Sequence, residues 1–247
     1  MAVPTVHTEL NRSSATVDTF LFSDYVAGRT PRAELVVFAN CFKMSAQEAA
    51  AVQERLARDK SHRVWCYLPG YIGDTGKYDI ANVAKITGFD VELVPGKIAA
   101  TGTHGDLEEV TLLGMYARYL DLEERPVVRG EGCTIIGEYD SDGLPCAAMK
   151  SSNDVYSFFF GSPGIGVDCL RAILKMTSIH MWTDRPAVVT KNNKCLFVYT
   201  GKEGALTLNV PDGVTLKTTE GNPVPVEKNS LSLSVGKTGA QWFRFDR

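Results

Sequence analysis

The sequence predicts an α/β domain built on a parallel sheet, followed by a small antiparallel β-sandwich. Two apolar runs, residues 34–42 and 63–74, each end in turn-forming residues and flank a segment with a helical pattern. Strand, capped helix and strand form a βαβ unit, in which the two strands are parallel. After about residue 181 the chain contains only short β-type runs separated by turn sequences, which is typical of an antiparallel sandwich.

The chain divides into three predicted parts. Residues 1–16 are polar and without a clear period, which indicates an irregular terminus. Residues 17–180 carry the α/β pattern, and residues 181–247 carry only short strands. A chain of 247 residues is long enough for two domains, each with its own core.

Start and stop signals predict the elements of the first domain. A capping box of the S-x-x-E type, Ser45 to Glu48, begins the helix between the two parallel strands, and Gly88 closes a second helix. Residues 112–122 fit a strand or a helical turn equally well. The remaining predictions are strands at 17–22, 89–94 and 155–160, a hairpin of 134–139 with 146–150, and helices at 45–59, 79–87 and 167–177.

The second domain is predicted from the close spacing of its strands. Turn sequences such as Asn192-Asn193 and Pro211-Asp212-Gly213 separate the apolar runs. The predicted strands are residues 187–190, 196–199, 205–210, 214–218, 231–235 and 242–245.

Composition narrows the classes of function and location. The net charge of −3 provides no basic face, so we expect no nucleic-acid partner. The apolar runs are far shorter than the ~20 residues of a membrane helix, and the first twenty residues lack the apolar core of a secretory signal. The 6 cysteines form no C-x-x-C pair, which favours reduced thiols over a disulfide framework. We therefore expect a cytoplasmic protein without a membrane partner.

The carboxyl ends of the two parallel strands are expected to meet at one edge of the sheet, as in other α/β proteins. The loops that follow these strands define a candidate strand-end cleft. Its predicted residues are Asn40, Cys41, Pro69, Gly70, Tyr71 and Asp74.

Two cysteines, Cys41 and Cys66, are candidate nucleophiles near this edge. Cys66 lies within the second strand, and the turn after it contains Pro69, which has no N–H to donate to an oxyanion. Cys41 is better placed, between a strand and a helix, so a cysteine-dependent hydrolase or amidotransferase is one alternative function. The 4 histidines form no motif with Cys41, and the sequence predicts no catalytic residue.

Cofactor and metal motifs are not recognisable in the sequence. The segment GSPGIGVD joins a strand to a helix, as a phosphate loop does, but Cys169 stands where the dinucleotide fingerprint requires its last glycine. No metal-ligand spacing is found, and no cofactor is expected.

A second alternative is a carbohydrate-binding module. His180, Trp182 and Trp242, with Tyr199, are candidates for contact with a sugar, because aromatic rings stack on sugar rings. Core positions are the more common place for tryptophans in a small sandwich.

Three segments together resemble a known family. These segments are similar to the carboxyl-terminal part of trimerising β-galactosidases and related glycoside hydrolases: LVVFANCF with its capped helix, RVWCYLPGYIGD with ANVAKITGFDV, and SFFFGSPGIGVDCLRAILKMTSIHMWTDRPAVVTKNNKCLFVYTGKEGALTLNVPDG. That part consists of a flavodoxin-like, class I amidotransferase-like trimerisation domain followed by a small β-sandwich. The resemblance extends over most of residues 17–215.

The resemblance implies a non-catalytic role in assembly. The family's catalytic residues lie on a (β/α)₈ barrel of ~250 residues, for which this chain has no room. We therefore expect the carboxyl-terminal part of a larger enzyme, or a separately encoded subunit. By this analogy the loops 40–43 and 69–76 lie at or near an interface.

Residues 34–42 also predict association. The run LVVFA is apolar on both faces, as in a central strand, yet residues 1–16 do not read as the strand and helix that open this domain in the family. A bare sheet edge and face are an aggregation hazard unless another chain covers them. We expect a homo-oligomer or a complex with a separate chain that bears the catalytic barrel.

Overall fold

The computed structural model describes residues 2–96, 107, 123–162, 164–236 and 239–246. The chain divides into two compact units, and each is described by itself. The first unit consists of Met1–Val6 and Thr19–Ala172, and the second of His7–Asp18 and Ile173–Arg247.

The elements up to the end of the last helix include both helices and strands, and those from β1 to β3 alternate, which agrees with the α/β pattern of the sequence. In chain order they are α1 (Ala2–Arg12), α2 (Phe22–Val26), β1 (Leu35–Phe38), α3 (Ala46–Asp59), β2 (His62–Cys66), α4 (Ile80–Thr87), β3 (Val91–Pro95), β4 (Glu124–Val128), β5 (Thr134–Glu138), β6 (Pro145–Ser152), β7 (Val155–Phe160) and α5 (Val167–Met176).

A five-stranded sheet with the order β1-β2-β7-β6-β5 forms the centre of the first unit. The predicted βαβ unit is confirmed, because β1 and β2 are parallel, with Val37 opposite Val64. β7 also runs parallel to β2, whereas β6 and β5 are antiparallel, so the sheet is mixed. β3 and β4 form a separate antiparallel pair.

The predicted caps set the bounds of the crossover helix. The Glu48 N–H donates to Ser45 Oγ at 3.1 Å, and the Ser45 N–H donates to Glu48 Oε2 at 2.8 Å, so the capping box is complete. Val52 and Leu56 are fully buried on the inner face of α3. Gly88 ends α4 in the left-handed conformation, as the sequence predicted.

Two predictions near the amino terminus were wrong. The predicted irregular terminus contains α1, because Val6 and Leu10 recur at helical spacing and Val6 is buried. The strand predicted at 17–22 is absent, and α2 begins at Phe22. Phe20 and Leu21 are 49% and 70% exposed, so the alternation there did not reflect one buried face. The segment 112–122 lies outside the described residues.

All strands predicted for the sandwich are confirmed. A four-stranded sheet with the order β11-β13-β9-β8 and a two-stranded sheet of β10 and β12 share one core. That core contains Leu196, Val198, Leu208 and Phe243. The six strands are β8 (Val188–Lys191), β9 (Cys195–Thr200), β10 (Gly204–Asn209), β11 (Thr215–Lys217), β12 (Ser230–Val235) and β13 (Gly239–Asp246).

The predicted fold class, an α/β domain followed by antiparallel β-sheets, is therefore correct. None of the helices in the described part of the chain has the length and apolar character that a bilayer crossing requires.

Candidate functional site

The loops that follow β1 and β2 lie side by side at the carboxyl edge of the sheet. The Gly70 N–H donates to the Cys41 carbonyl at 2.7 Å, and the Ile72 N–H donates to the Phe42 carbonyl at 2.7 Å. The Met44 N–H returns a bond to the Ile72 carbonyl at 3.0 Å. The two predicted halves of the strand-end cleft are thus joined through their backbones.

Asp74 connects the second loop to the crossover helix. Its Oδ2 accepts a hydrogen bond of 3.0 Å from the N–H of Ala46, in the first turn of α3. A carboxylate at a helix N-terminus accepts a hydrogen bond from a free N–H and interacts favourably with the positive end of the helix dipole. The described contacts of Asp74 therefore assign it a structural role at this edge.

The turn after β2 begins one residue earlier than the sequence suggested. The sequence places Pro69 within this turn, but Tyr67 already has a positive φ of 65°. A non-glycine residue in this region is uncommon and marks a sharp change of direction. Tyr67 therefore stands at the strand-end corner where a nucleophile elbow presents its reactive side chain.

The side chain at this corner is unsuited to nucleophilic attack. Tyr67 is buried and edge-on to Phe42, with ring centroids 5.4 Å apart. Burial raises the pKa of Tyr67 to about 12, so its phenol stays protonated at neutral pH.

The two cysteines near this edge are likewise held as thiols. Burial raises the pKa of Cys41 to about 12, and its Sγ donates to the Ala39 carbonyl at 3.8 Å. Burial also raises the pKa of Cys66, which is fully enclosed in β2. A thiol with a raised pKa is a poor nucleophile, which counts against the cysteine-dependent alternative.

His62 is positioned at the wrong end of the strand to act as a base for Cys41. It begins β2, whereas Cys41 follows the carboxyl end of the parallel strand β1. The Nδ1 of His62 accepts a hydrogen bond of 3.0 Å from the Tyr156 N–H. His104 lies outside the described residues. Among the described residues, no group of three His, Cys, Asp or Glu side chains is placed to hold a metal.

Two tyrosines form a stacked pair at the second strand-end loop. Tyr71 and Tyr78 stack with ring centroids 5.1 Å apart and an angle of 13°, and Tyr78 is 74% exposed. Asn82 holds the same loop, since its Nδ2 donates to the Gly70 carbonyl at 2.6 Å. Exposed tyrosines on an ordered loop are frequent at protein interfaces. Sequence reasoning missed Tyr78, although its position next to the Gly-rich run PGYIGDTG gave a signal.

The residues proposed for sugar contact separate into two places within the second unit. Trp182 is 3% exposed and packs edge-on against His180 at 4.9 Å, so its ring belongs to the core and offers no free face. Trp242 is 56% exposed and lies beside Phe197, with centroids 4.5 Å apart. Tyr199 is also exposed, two residues along β9 from Phe197. Trp182 is therefore removed from the predicted sugar platform, His180 remains exposed at its edge-on contact with Trp182, and Phe197 is added beside Trp242.

Comparison with known proteins yields structural relatives only. No protein-family model and no curated protein matches the sequence. The fold is similar to that of a β-galactosidase from Bacillus circulans sp. alkalophilus, with a TM-score of 0.65 and 12% identity over 99% of this chain and 37% of that chain. A GH42 β-galactosidase from G. stearothermophilus gives 0.66 and 12% over 100% and 36%. A β-galactosidase from Halorubrum lacusprofundi gives 0.65 and 13% over 100% and 36%.

These similarities establish the fold alone, because identities of 12–13% are too low to assign the function of those proteins to this chain. This chain spans little more than a third of the length of the proteins that it matches, with shares of 36–37%.

Proposed function

We propose that this chain is a non-catalytic assembly module or subunit of a β-galactosidase-like glycoside hydrolase. It associates either with copies of itself or with a chain that bears the catalytic barrel. The strand-end loops 40–43 and 69–76 lie at or near that interface. The single observation that carries the proposal is the position of β1 in its sheet.

β1 is the terminal strand, although its sequence is that of a central one. Among the described residues, no strand pairs with the side of β1 that faces away from β2. The Glu34 carbonyl accepts the His62 N–H at 2.8 Å and so points to β2. Because backbone groups alternate in direction along a strand, Leu35 and Val37 direct their N–H and C=O groups to the open side. An open apolar edge is a template for pairing with another chain.

The opposite edge of the same sheet is protected. β5 has irregular pairing with β6, with shifts of register around Gly137. Bulges of this kind blunt an edge and prevent strand addition. β1 has an unbroken register with β2 from Leu35 to Phe38. The asymmetry supports β1 as the edge on which another chain docks.

The chemistry of the cleft supports a non-catalytic role. Tyr67 occupies the corner after β2, Pro69 removes a donor from the following turn, and the thiol of Cys41 has a raised pKa. The likeness in fold to β-galactosidases supports the class of the parent enzyme.

Light scattering of the purified chain tests the assembly role. At micromolar concentration we expect a mass well above the 27.0 kDa of one chain. Val37→Lys, which places a charge on the open edge, should reduce the mass toward the monomer. Thr134→Lys is the matched control on β5 and should leave the mass unchanged. Thermal unfolding of each variant confirms that it is folded.

A stable monomer of the unaltered chain would reject association with itself. The barrel-bearing partner is then tested by capture of a β-galactosidase barrel chain on immobilised protein, again with Val37→Lys and Thr134→Lys. Failure of both experiments rejects the proposal. Turnover of an aryl galactoside by the purified chain would overturn the non-catalytic role.

A further inference from the structure

The outer face of the four-stranded sheet in the second unit presents a row of side chains that is independent of the proposed assembly edge. Thr190 pairs with Phe197, and Phe197 pairs with Trp242, so the three residues cross β8, β9 and β13 in one line. Their neighbours Val189, Leu196, Val198 and Phe243 are buried on the other face. The row therefore points away from the core.

A polar cleft opens at one end of this row. It has a volume of about 220 Å³ and is formed by residues 16–18 and 189–193. Thr190 belongs to both the cleft and the row, so the two are continuous. Asp18, Asn192 and Asn193 supply both donors and acceptors to the cleft.

The rim of the cleft is fixed in place. The Ser14 N–H donates to the Ala187 carbonyl at 3.2 Å, and the Ala187 N–H donates to the Arg12 carbonyl at 3.0 Å, so residues 12–14 lie along the start of β8. On the other side, Asn192 Oδ1 accepts the N–H groups of Lys194 and Cys195 at 2.8 and 2.7 Å. The side-chain oxygen of Asn192 therefore accepts hydrogen bonds within the turn, and its side-chain nitrogen Nδ2 remains as a donor for a ligand.

We infer that the cleft of residues 16–18 and 189–193, with the row Thr190–Phe197–Trp242, binds a neutral carbohydrate chain. The cleft is smaller than the ~300–1,000 Å³ that encloses a drug-sized ligand, which suits a single sugar ring. Strands lie ~4.8 Å apart, so the row extends the site by roughly 10 Å, over further sugar units. Trp242 and Phe197 supply the apolar surface on which the C–H face of a sugar stacks.

The charges of the site favour a neutral ligand. Asp18 brings a carboxylate to the cleft, whereas the Lys191 ammonium lies over the rings of Trp182 and Phe245, at 5.5 and 5.8 Å from their centroids. A nucleic acid would place its phosphates against Asp18 without a surrounding basic patch. An apolar protein surface would leave the polar groups of the cleft unpaired. Hydroxyl groups, which both donate and accept, match this lining.

The inference is tested with the full chain and three tetrasaccharides, galactotetraose, cellotetraose and mannotetraose, by isothermal titration calorimetry and tryptophan fluorescence. We expect at least one to bind with a Kd below about 1 mM. Trp242→Ala and Asp18→Ala should each weaken binding by about tenfold or more. Phe20→Ala, which removes an exposed ring in the first unit, should leave the Kd unchanged.

Two results would overturn the inference. One is binding weaker than about 1 mM for all three sugars, or binding that Trp242→Ala leaves unaltered. The other is a lower mass for Trp242→Ala in light scattering, which would assign this face to a protein interface. Because Val37→Lys tests a different edge, the assembly role and the sugar site can fail separately.

Discussion

Phe38 at the end of β1 stacks on Trp65 of β2, with ring centroids 4.4 Å apart and an angle of 17°. The two residues are register partners in the parallel pair and are both buried. Tyr25 meets the ring of Phe38 edge-on at 5.5 Å, and the guanidinium of Arg55 lies 4.2 Å above Tyr25. One aromatic stack therefore fastens the terminal strand to the sheet and to α2 and α3.

Replacement of Phe38 tests how firmly the edge strand is held. Phe38→Ala should lower the free energy of unfolding by about 3–5 kcal/mol, because it leaves a cavity beside Trp65. Denaturant titration followed by tryptophan fluorescence measures this change. Phe20→Ala, at an exposed ring, should cost less than about 0.5 kcal/mol. Equal costs for the two variants would contradict the stacked arrangement.

Gly161 is predicted to be intolerant of a side chain. A Cβ there would meet the carbonyl oxygens of Cys146 and Pro126 and the hydroxyl of Tyr139, each at 3.0 Å. Gly161→Ala should therefore destabilise the protein by about 1–3 kcal/mol, as overpacking does. Gly130→Ala is the matched control, because nothing lies within 4 Å of its added Cβ. In thermal unfolding, Gly161→Ala should have a lower Tm than Gly130→Ala.

His62 is expected to make stability depend on pH. Burial lowers the pKa of His62, and its Nδ1 accepts the Tyr156 N–H, which requires the neutral ring. Below the unfolded pKa of about 6.5 the unfolded chain binds the proton first, so stability falls as the pH falls through that region.

The variant His62→Asn keeps an acceptor oxygen but removes the titration. Its free energy of unfolding should change less between pH 7 and pH 5 than that of the unaltered chain. Burial also lowers the pKa of His180, but that group is present in both proteins and its effect cancels. An identical loss in both proteins would show that His62 does not contribute.

Thiol labelling tests the electrostatic state of Cys41. A pKa of about 12 predicts that iodoacetamide alkylates Cys41 in the folded protein far more slowly than in urea. Mass spectrometry of the labelled peptides resolves Cys41 from the other cysteines, and Cys41→Ser identifies its signal. Faster alkylation of Cys41 in the folded protein than in urea would support the alternative function, a cysteine-dependent hydrolase or amidotransferase.

Local signals in the sequence were sufficient to predict most elements. Two helix caps were predicted from neighbouring residues alone: the capping box of Ser45 and Glu48, and the glycine after α4. Such caps form from local contacts and do not require knowledge of the tertiary structure. The short strands of the sandwich were equally clear, because turn residues separate them. Positions that depend on distant contacts were not predictable. The mixed direction of the sheet, in which β7 is parallel to β2 while β6 and β5 are antiparallel, follows from distant pairings to which the local sequence gives no signal.

The candidate sites show the same division. Cys41 and Gly70 meet because parallel strands bring their carboxyl ends together, which the βαβ pattern implies. Trp182 is buried and Trp242 is exposed because the side chain of Trp182 points into the core and that of Trp242 points to solvent. A shift of one residue in the register reverses this direction, and the amino-acid composition does not predict the register.

The backbone bonds between the two strand-end loops have a kinetic consequence. Gly70 and Ile72 are bonded to the loop after β1, and Asp74 is bonded to α3, so the second loop has no free hinge within residues 70–74. A partner that docks here meets a surface already in its final shape. We expect the observed association rate to rise linearly with partner concentration, limited by diffusional encounter and without a plateau from a prior opening step.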